Sequence, residues 1–244
     1  MCEACPKAPV GWLGWIELPE NRPCIPAGAW IDLTHRVGPD MPCASIFPKP
    51  SFNKLRSLPD DPFNVTEIHM VAHAGTHVDA PLHYFADGPD MASIPLDRLG
   101  GAGVVWHIAC DEDQVIHPAD LEQCRPLLQA GDILAVDTGW AQHFGTERYE
   151  RHPSFSAEAA AWLVERRIKL LACDFATPDL VYHLREPGFD WPVHRQLLSR
   201  GILVCEHLTG HAALAGERVE FQFAALPLID GDGAQARVVA RRIQ

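Results

Sequence analysis

The stretch His73-Ala-Gly-Thr-His77-Val-Asp79-Ala-Pro-Leu-His83 holds three histidines and one aspartate within eleven residues. Imidazole and carboxylate together are a ligand set for Zn, Mn or Fe. Ligand-type side chains this close in sequence need little loop closure to meet at one point. His73 and His77 have the spacing of a helical metalloprotease motif, but Ala74 stands where that motif needs its general-base glutamate. Gly75 and Pro81 also oppose a helix. A strand or bulged turn is therefore expected. His77 and Asp79 then share one face, and a bend at Gly75 returns His73 to it. Three ligands leave a position open for water, as catalytic sites do. His83, just beyond Pro81, is placed to take a proton from attacking water and pass it to a leaving group.

The chain around this stretch has 244 residues, 47% hydrophobic and 21% charged, enough to bury a substantial core. Twenty Lys plus Arg against thirty-two Asp plus Glu leave a net charge of −12, with no basic run. That balance argues against nucleic acid or an anionic membrane as partner and says little more. No run of about 18 apolar residues occurs, so no membrane span is expected. The first residues lack the basic and apolar regions of a secretory signal, so a cytoplasmic protein is expected. The eight cysteines are then expected as thiols. Cys2 and Cys5 form a C-x-x-C, but no second pair completes a zinc knuckle.

Residues 1–28, rich in Pro, Cys, Gly and Trp, read as an irregular arm, and residues 29–244 as one mixed α/β domain. Strands are expected over 29–34, 66–72, 104–108, 132–137, 169–173, 202–205, 219–225 and 237–241. Helices are expected over 118–128, 156–167 and 192–200. The second opens on Ser156 as N-cap, and the other two carry Pro at the first turn. Residues 38–53 read as a Pro-rich loop.

The string from His73 to His83 fits the pattern H-x-G-T-H-x-D-x-P-x-H. It resembles the signature of the cyclase-like metal-dependent hydrolases, which include bacterial kynurenine formamidases and isatin hydrolases. Further matches are Ile31-Asp-Leu-Thr-His35 with Asp40-Met-Pro42, Asp137-Thr-Gly-Trp140, and Asp174 to Asp179, which is similar to a D-x-x-S-x-D stretch with Thr177 in the serine place. His194 and Glu206 stand twelve residues apart, as do two further metal ligands of the family. The resemblance implies a swivelling β/β/α fold with mixed sheets, usually assembled as a homo-oligomer, here a dimer or tetramer. It implies His73, His77 and Asp79 on one metal, with Asp79 bridging to a second held by His194 and Glu206. His83 is the implied proton donor and acceptor.

Where the formamidases carry Trp-Pro-Gly-Asp, this chain has Cys43-Ala-Ser-Ile-Phe47-Pro48, so Phe47 is offered as the aromatic wall of the substrate pocket. His207 replaces an Asn that often follows the ligand Glu, and His35 and His207 are candidate pocket residues. The remaining histidines, at 69, 107, 117, 143, 152, 183 and 211, lack partners at ligand spacing. The expected reaction is metal-dependent hydrolysis of an amide C–N bond in a small aromatic or cyclic substrate, arylformamidase-like. The alternatives at the same site are an isatin-type cyclic amide or imide hydrolase and a lactonase. The non-enzymatic alternatives are a metal- or ligand-binding protein and a structural zinc protein. A His/Asp/Glu donor set without thiolate suits one or two divalent ions, Zn first and Mn as the alternative.

Overall fold

The computed structural model of the chain describes residues 7–43 and 47–244. Cys2 and Cys5 lie outside the described residues. The strands are β1 (Ile31–Asp32), β2 (Ser51–Arg56), β3 (Val65–His69), β4 (His77–Asp79), β5 (Gly100–His107), β6 (Val115–Ile116), β7 (Ile133–Asp137), β8 (Ser154–Phe155), β9 (Leu170–Cys173), β10 (Leu203–Glu206), β11 (Arg218–Ala225) and β12 (Gly233–Arg242). The helices are α1 (Pro118–Glu122), α2 (Ala157–Glu165) and α3 (Pro192–Leu198).

Strands run in the order β12-β11-β5-β7-β9-β10-β4, and β4 pairs back onto β12, closing a seven-stranded barrel. The β5–β7, β7–β9 and β9–β10 pairs are parallel; β11, β12 and β4 join antiparallel. The mixed α/β architecture expected from the sequence is thus realised, with few and short helices. Alternation along each strand builds two cores. Val78, Ile133, Ala135, Leu170, Ala172, Leu203, Cys205 and Phe221 fill the barrel. Leu134, Val136, Leu171, Cys173 and Val204 point outward, where Ala160 and Leu163 of α2 and Val193 and Leu197 of α3 cover them. The Ser156 hydroxyl accepts from the Ala159 N–H at 3.1 Å, so this cap starts α2 as expected.

Among the differences from the sequence expectation, two have a direct physical reason. The helix begun at Pro118 ends at Glu122 instead of reaching 128. Pro126 has no N–H to donate and restricts Arg125 to extended backbone, so the apolar residues beyond cannot continue the helix. At the end of the expected Pro-rich loop and beyond it, Ser51–Arg56 is a strand, because it finds β3 as an antiparallel partner. This hairpin stands apart from the barrel as a two-stranded sheet. Of the arm, Leu13 and Ile16 donate backbone hydrogen bonds to the Ser199 and Arg200 carbonyls at 2.9 and 2.7 Å. Among the described residues no helix is long and apolar enough to cross a membrane.

Candidate metal centre

β4 is three residues long and paired on both sides. Opposite His77 stand Glu206 of β10 and Gln235 of β12; opposite Asp79 stand Val204 and Gly233. Directly opposed residues project to the same face. Val78 and Cys205 point into the barrel, so His77, Asp79 and Glu206 project from its outer wall toward α3. Gly75 adopts φ +66, the left-handed turn that brings His73 back beside Asp79, as the sequence expects. Gly233 leaves room for the ring: a Cβ there would meet His73 Cε1 at 2.7 Å.

His194 enters from α3. Its backbone N–H and that of Val193 donate to the buried Asp179 carboxylate at 3.0 and 2.9 Å. Its ring Nδ1 lies 2.6 Å from the same carboxylate. Asp179 therefore satisfies the helix N-terminus and fixes the imidazole in one contact set.

Each of three imidazoles is held by one nitrogen and presents the other. His77 Nδ1 is 2.7 Å from the Gly75 carbonyl, His194 Nδ1 is on Asp179, and His73 Nε2 is 2.9 Å from Asp232. The opposite nitrogens of His77 and His194 converge on Asp79 and Glu206, and that of His73 on Asp79 alone. His77 Nε2 is 3.2 Å from Asp79 Oδ1 and 3.4 Å from Glu206 Oε2. His194 Nε2 is 3.3 Å from Asp79 Oδ2 and 3.2 Å from Glu206 Oε1. Donor atoms about 2.0–2.1 Å from a tetrahedral ion sit about 3.3 Å from one another. Despite those distances, the buried His77 Nε2 and Asp79 Oδ2 make no hydrogen bond. Unpaired buried polar atoms are costly, and a cation among them would satisfy both. The His73 Nδ1 to Asp79 Oδ1 distance is shorter, 2.8 Å, a hydrogen bond. Histidines backed by carboxylate or carbonyl are what a metal centre needs to fix ring orientation. The residues present fit a divalent cation.

Electrostatics agree. Burial alone would lower the His77 pKa, but Asp79 and Glu206 outweigh it and hold it at about 10. Burial likewise acts downward on His73, and its bonds to Asp232 and Asp79 raise it to about 9. Burial and Asp79 push Glu206 up, yet His194 and His77 bring it to about 2. The carboxylates thus stay ionised and demand positive charge, from imidazolium protons or from a metal.

His83 stacks on His73 with centroids 4.0 Å apart, and its Nδ1 lies 3.2 Å from Asp232 Oδ2. A donor atom of His83 is within 4.8 Å of donor atoms of His73 and Asp79, close to the centre. His207 joins His77 and Glu206 in a second such group, and its Nδ1 is 2.7 Å from the Tyr149 hydroxyl. Burial and the neighbouring His77 push His207 down to about 3, so it is neutral. His35 lies further back, its ring stacked on Phe144 at 3.9 Å. Phe47 is half-buried and makes no ring contact among the described residues. The aromatic rings beside the centre are instead Tyr84, 4.9 Å from His194, and Trp191, 6.2 Å from it.

His211, left without a partner by the sequence, sits with Asp137 and Asp174. Asp174 is already occupied by the N–H groups of Thr138 and Trp140 and the Thr138 hydroxyl, which makes that group a cap for the turn. Sequence reasoning missed Asp232 altogether: it stands in an Asp-Gly-Asp-Gly turn with no ligand spacing, 159 residues from His73. Asp179 carried a signal only through the D-x-x-S-x-D likeness.

Residues 31–180 match the Cyclase family, described as "Putative cyclase". A kynurenine formamidase of Bordetella petrii is 28% identical over 199 residues, covering 78% of this chain and 86% of that protein. Cyclase-like protein 3 of Oryza sativa subsp. japonica is 27% identical over 228 residues, 84% of this chain and 77% of that protein. Among solved structures, an isatin hydrolase bound to the product analogue thioisatinate superposes with a TM-score of 0.79 at 20% identity, covering 88% of this chain and 92% of that one. Isatin hydrolase A from Labrenzia aggregata does so with a TM-score of 0.79 at 22% identity, over 88% of this chain and 94% of that one.

Proposed function

The chain belongs to the Cyclase family, and on that premise we propose that it is a metal-dependent hydrolase of an amide C–N bond in a small aromatic or cyclic substrate. The observation that carries this reading is the convergence of His77 Nε2 and His194 Nε2 on Asp79 and Glu206 at 3.2–3.4 Å with buried atoms unpaired. The kynurenine formamidases among its relatives support the amide bond as target. The fold shared with isatin hydrolases favours a cyclic amide as the second reading, with a lactone as a further candidate.

His73, His77 and Asp79 would hold one ion, and Asp79 with His194 and Glu206 a second; Zn suits these donors, with Mn as the alternative. Such a cation polarises a carbonyl and acidifies water. The protein's own groups do the rest. Asp232 accepts from His83 Nδ1, which leaves His83 Nε2 as the base that takes the proton of the attacking water. The same nitrogen returns the proton to the departing nitrogen as the C–N bond breaks. Neutral His207 and His35 line the far side. The exposed hairpin β2–β3, with Leu55, Phe63 and Ile68 each at least half exposed, supports assembly into a homo-oligomer.

The test is a panel of N-formylkynurenine, isatin and simple lactones with Zn- and Mn-loaded protein. Turnover of one class that chelation abolishes while the circular dichroism stays native is expected; a structural zinc protein would instead unfold. No turnover of any of them with either metal would overturn the hydrolase reading. His83→Ala is expected to keep its metal and lose about 10²–10⁴-fold in kcat. Near-wild-type turnover would remove His83 from the mechanism.

A further inference from the structure

Beside the centre, on the side of His194 and His83, three groups have no part in the chemistry above. Tyr84 stacks on His194 and meets His83 edge-on at 4.7 Å. Trp191 lies 6.1 Å from Tyr84. It occupies φ 55, ψ 57 at the start of α3, a left-handed conformation rarely tolerated by a large side chain. Such outliers persist where the surroundings hold them, often at ligand sites. Over the indole lies the Arg185 guanidinium, 3.8 Å from the ring centroid and 5.1 Å from that of Phe189.

Arg185 is half-buried, and its Nε donates to the Leu180 carbonyl at 2.6 Å. Its two terminal amino groups form no ion pair with any carboxylate among the described residues. Some arginines of this acidic chain pair with carboxylates, as Arg151 with Glu112, Arg218 with Asp132 and Arg241 with Glu220; Arg185 is among those that do not. Trp191, on which the guanidinium rests, is 6.2 Å from the His194 ring, and this places Arg185 beside the centre. A guanidinium held flat on an indole, with its outer fork unpaired, matches a carboxylate in a bidentate contact. The rings below it match a planar ligand. A cationic ligand would be repelled there, and the net charge of −12 disfavours polyanions.

We propose that Arg185, Trp191 and Tyr84 form a substrate subsite for an aromatic carboxylate, the ring lying against Trp191 and Tyr84 and the carboxylate on Arg185. The subsite deepens the hydrolase reading by naming its substrate class, and it rests on that reading for its purpose. Its test needs no turnover, so the two stand or fall separately.

The experiment is calorimetric titration of the metal-loaded full chain with benzoate and with its neutral counterpart benzamide. Unaltered protein is expected to bind benzoate more tightly. Arg185→Met is expected to weaken benzoate at least tenfold and benzamide less than about twofold. Trp191→Leu is expected to weaken both probes. Arg185→Lys, the milder change, keeps the charge without the flat fork and is expected to fall between. Benzoate binding no tighter than benzamide to the unaltered chain would overturn the subsite without recourse to any variant. So would equal benzoate affinity in Arg185→Met, which would place the carboxylate on the metal instead.

Discussion

Asp232 Oδ2 serves two imidazoles, His73 Nε2 at 2.9 Å and His83 Nδ1 at 3.2 Å. One is a proposed metal ligand and the other the proposed base, so the loss of this carboxylate should be felt twice. Asp232→Ala is expected to weaken metal binding about 10–100-fold, the range for removing a partner that orients a ligand histidine. Turnover at saturating metal should fall as well, because His83 loses the acceptor that fixes its tautomer. Competition against a chelator, with kcat measured separately, distinguishes the two effects. Unchanged metal affinity would mean that His73 is held without Asp232. Of the proposed site residues, those legible in the sequence are local: His73, His77, Asp79 and His83 follow one another through a turn, the short strand β4 and a single 3-10 turn. Asp232 and Asp179 were not, because a carboxylate that supports a ligand needs only to arrive in space, and no spacing rule ties it to its histidine. His194 and Glu206 became visible only through the family pattern.

At the scale of elements, β4 shows how little strand a site requires. Its three residues are gripped by β10 and β12 together, which fixes their register. Its alternation is readable in the sequence; its two partners are not, because strand pairing across about 125 or more residues leaves no trace in a single period. α2 was read to within two residues because Ser156 and its apolar face are local signals. α1 stops short of its expected end because the break at Pro126 outweighs the apolar spacing beyond it. The close pairing of β4 with β12 yields a prediction. Gly233→Ala places a methyl 2.7 Å from His73 Cε1 and 3.1 Å from the Val78 carbonyl. The ring must move off Asp79 before the barrel gives way, since it is the more mobile neighbour. Metal affinity is expected to drop about tenfold or more, comparable to loss of an orienting contact, with native circular dichroism retained. Wild-type metal affinity in this variant would show that His73 is not seated against β12.

For the whole molecule, barrel closure gathers Asp79 and Glu206 beneath His73, His77 and His194, a charge arrangement that makes stability depend on pH and metal together. In the metal-free protein His77 is raised from 6.5 to about 10 and His73 from 6.5 to about 9. A raised imidazole gives stability that is fully present below 6.5 and lost as pH climbs through the folded value. Glu206, lowered from 4.5 to about 2, gives stability present above 4.5 and lost as pH falls toward 2. The chelated chain should therefore be most stable between about pH 4.5 and 6.5 with respect to these groups. It should lose on the order of a few kcal/mol from there to pH 9, or about 5 °C or more in Tm for a chain of this size. A bound cation supplies the positive charge that the protons supplied, and its ligands bind best when deprotonated. The metal-loaded chain should accordingly hold its Tm over the same rise, so that the stabilisation by Zn or Mn widens with pH. Thermal melts of chelated and loaded protein between pH 6 and 9 measure this directly. Parallel curves would mean that the imidazolium protons do not neutralise Asp79 and Glu206 in the metal-free fold, and that the cation and the protons do not compete for the same atoms.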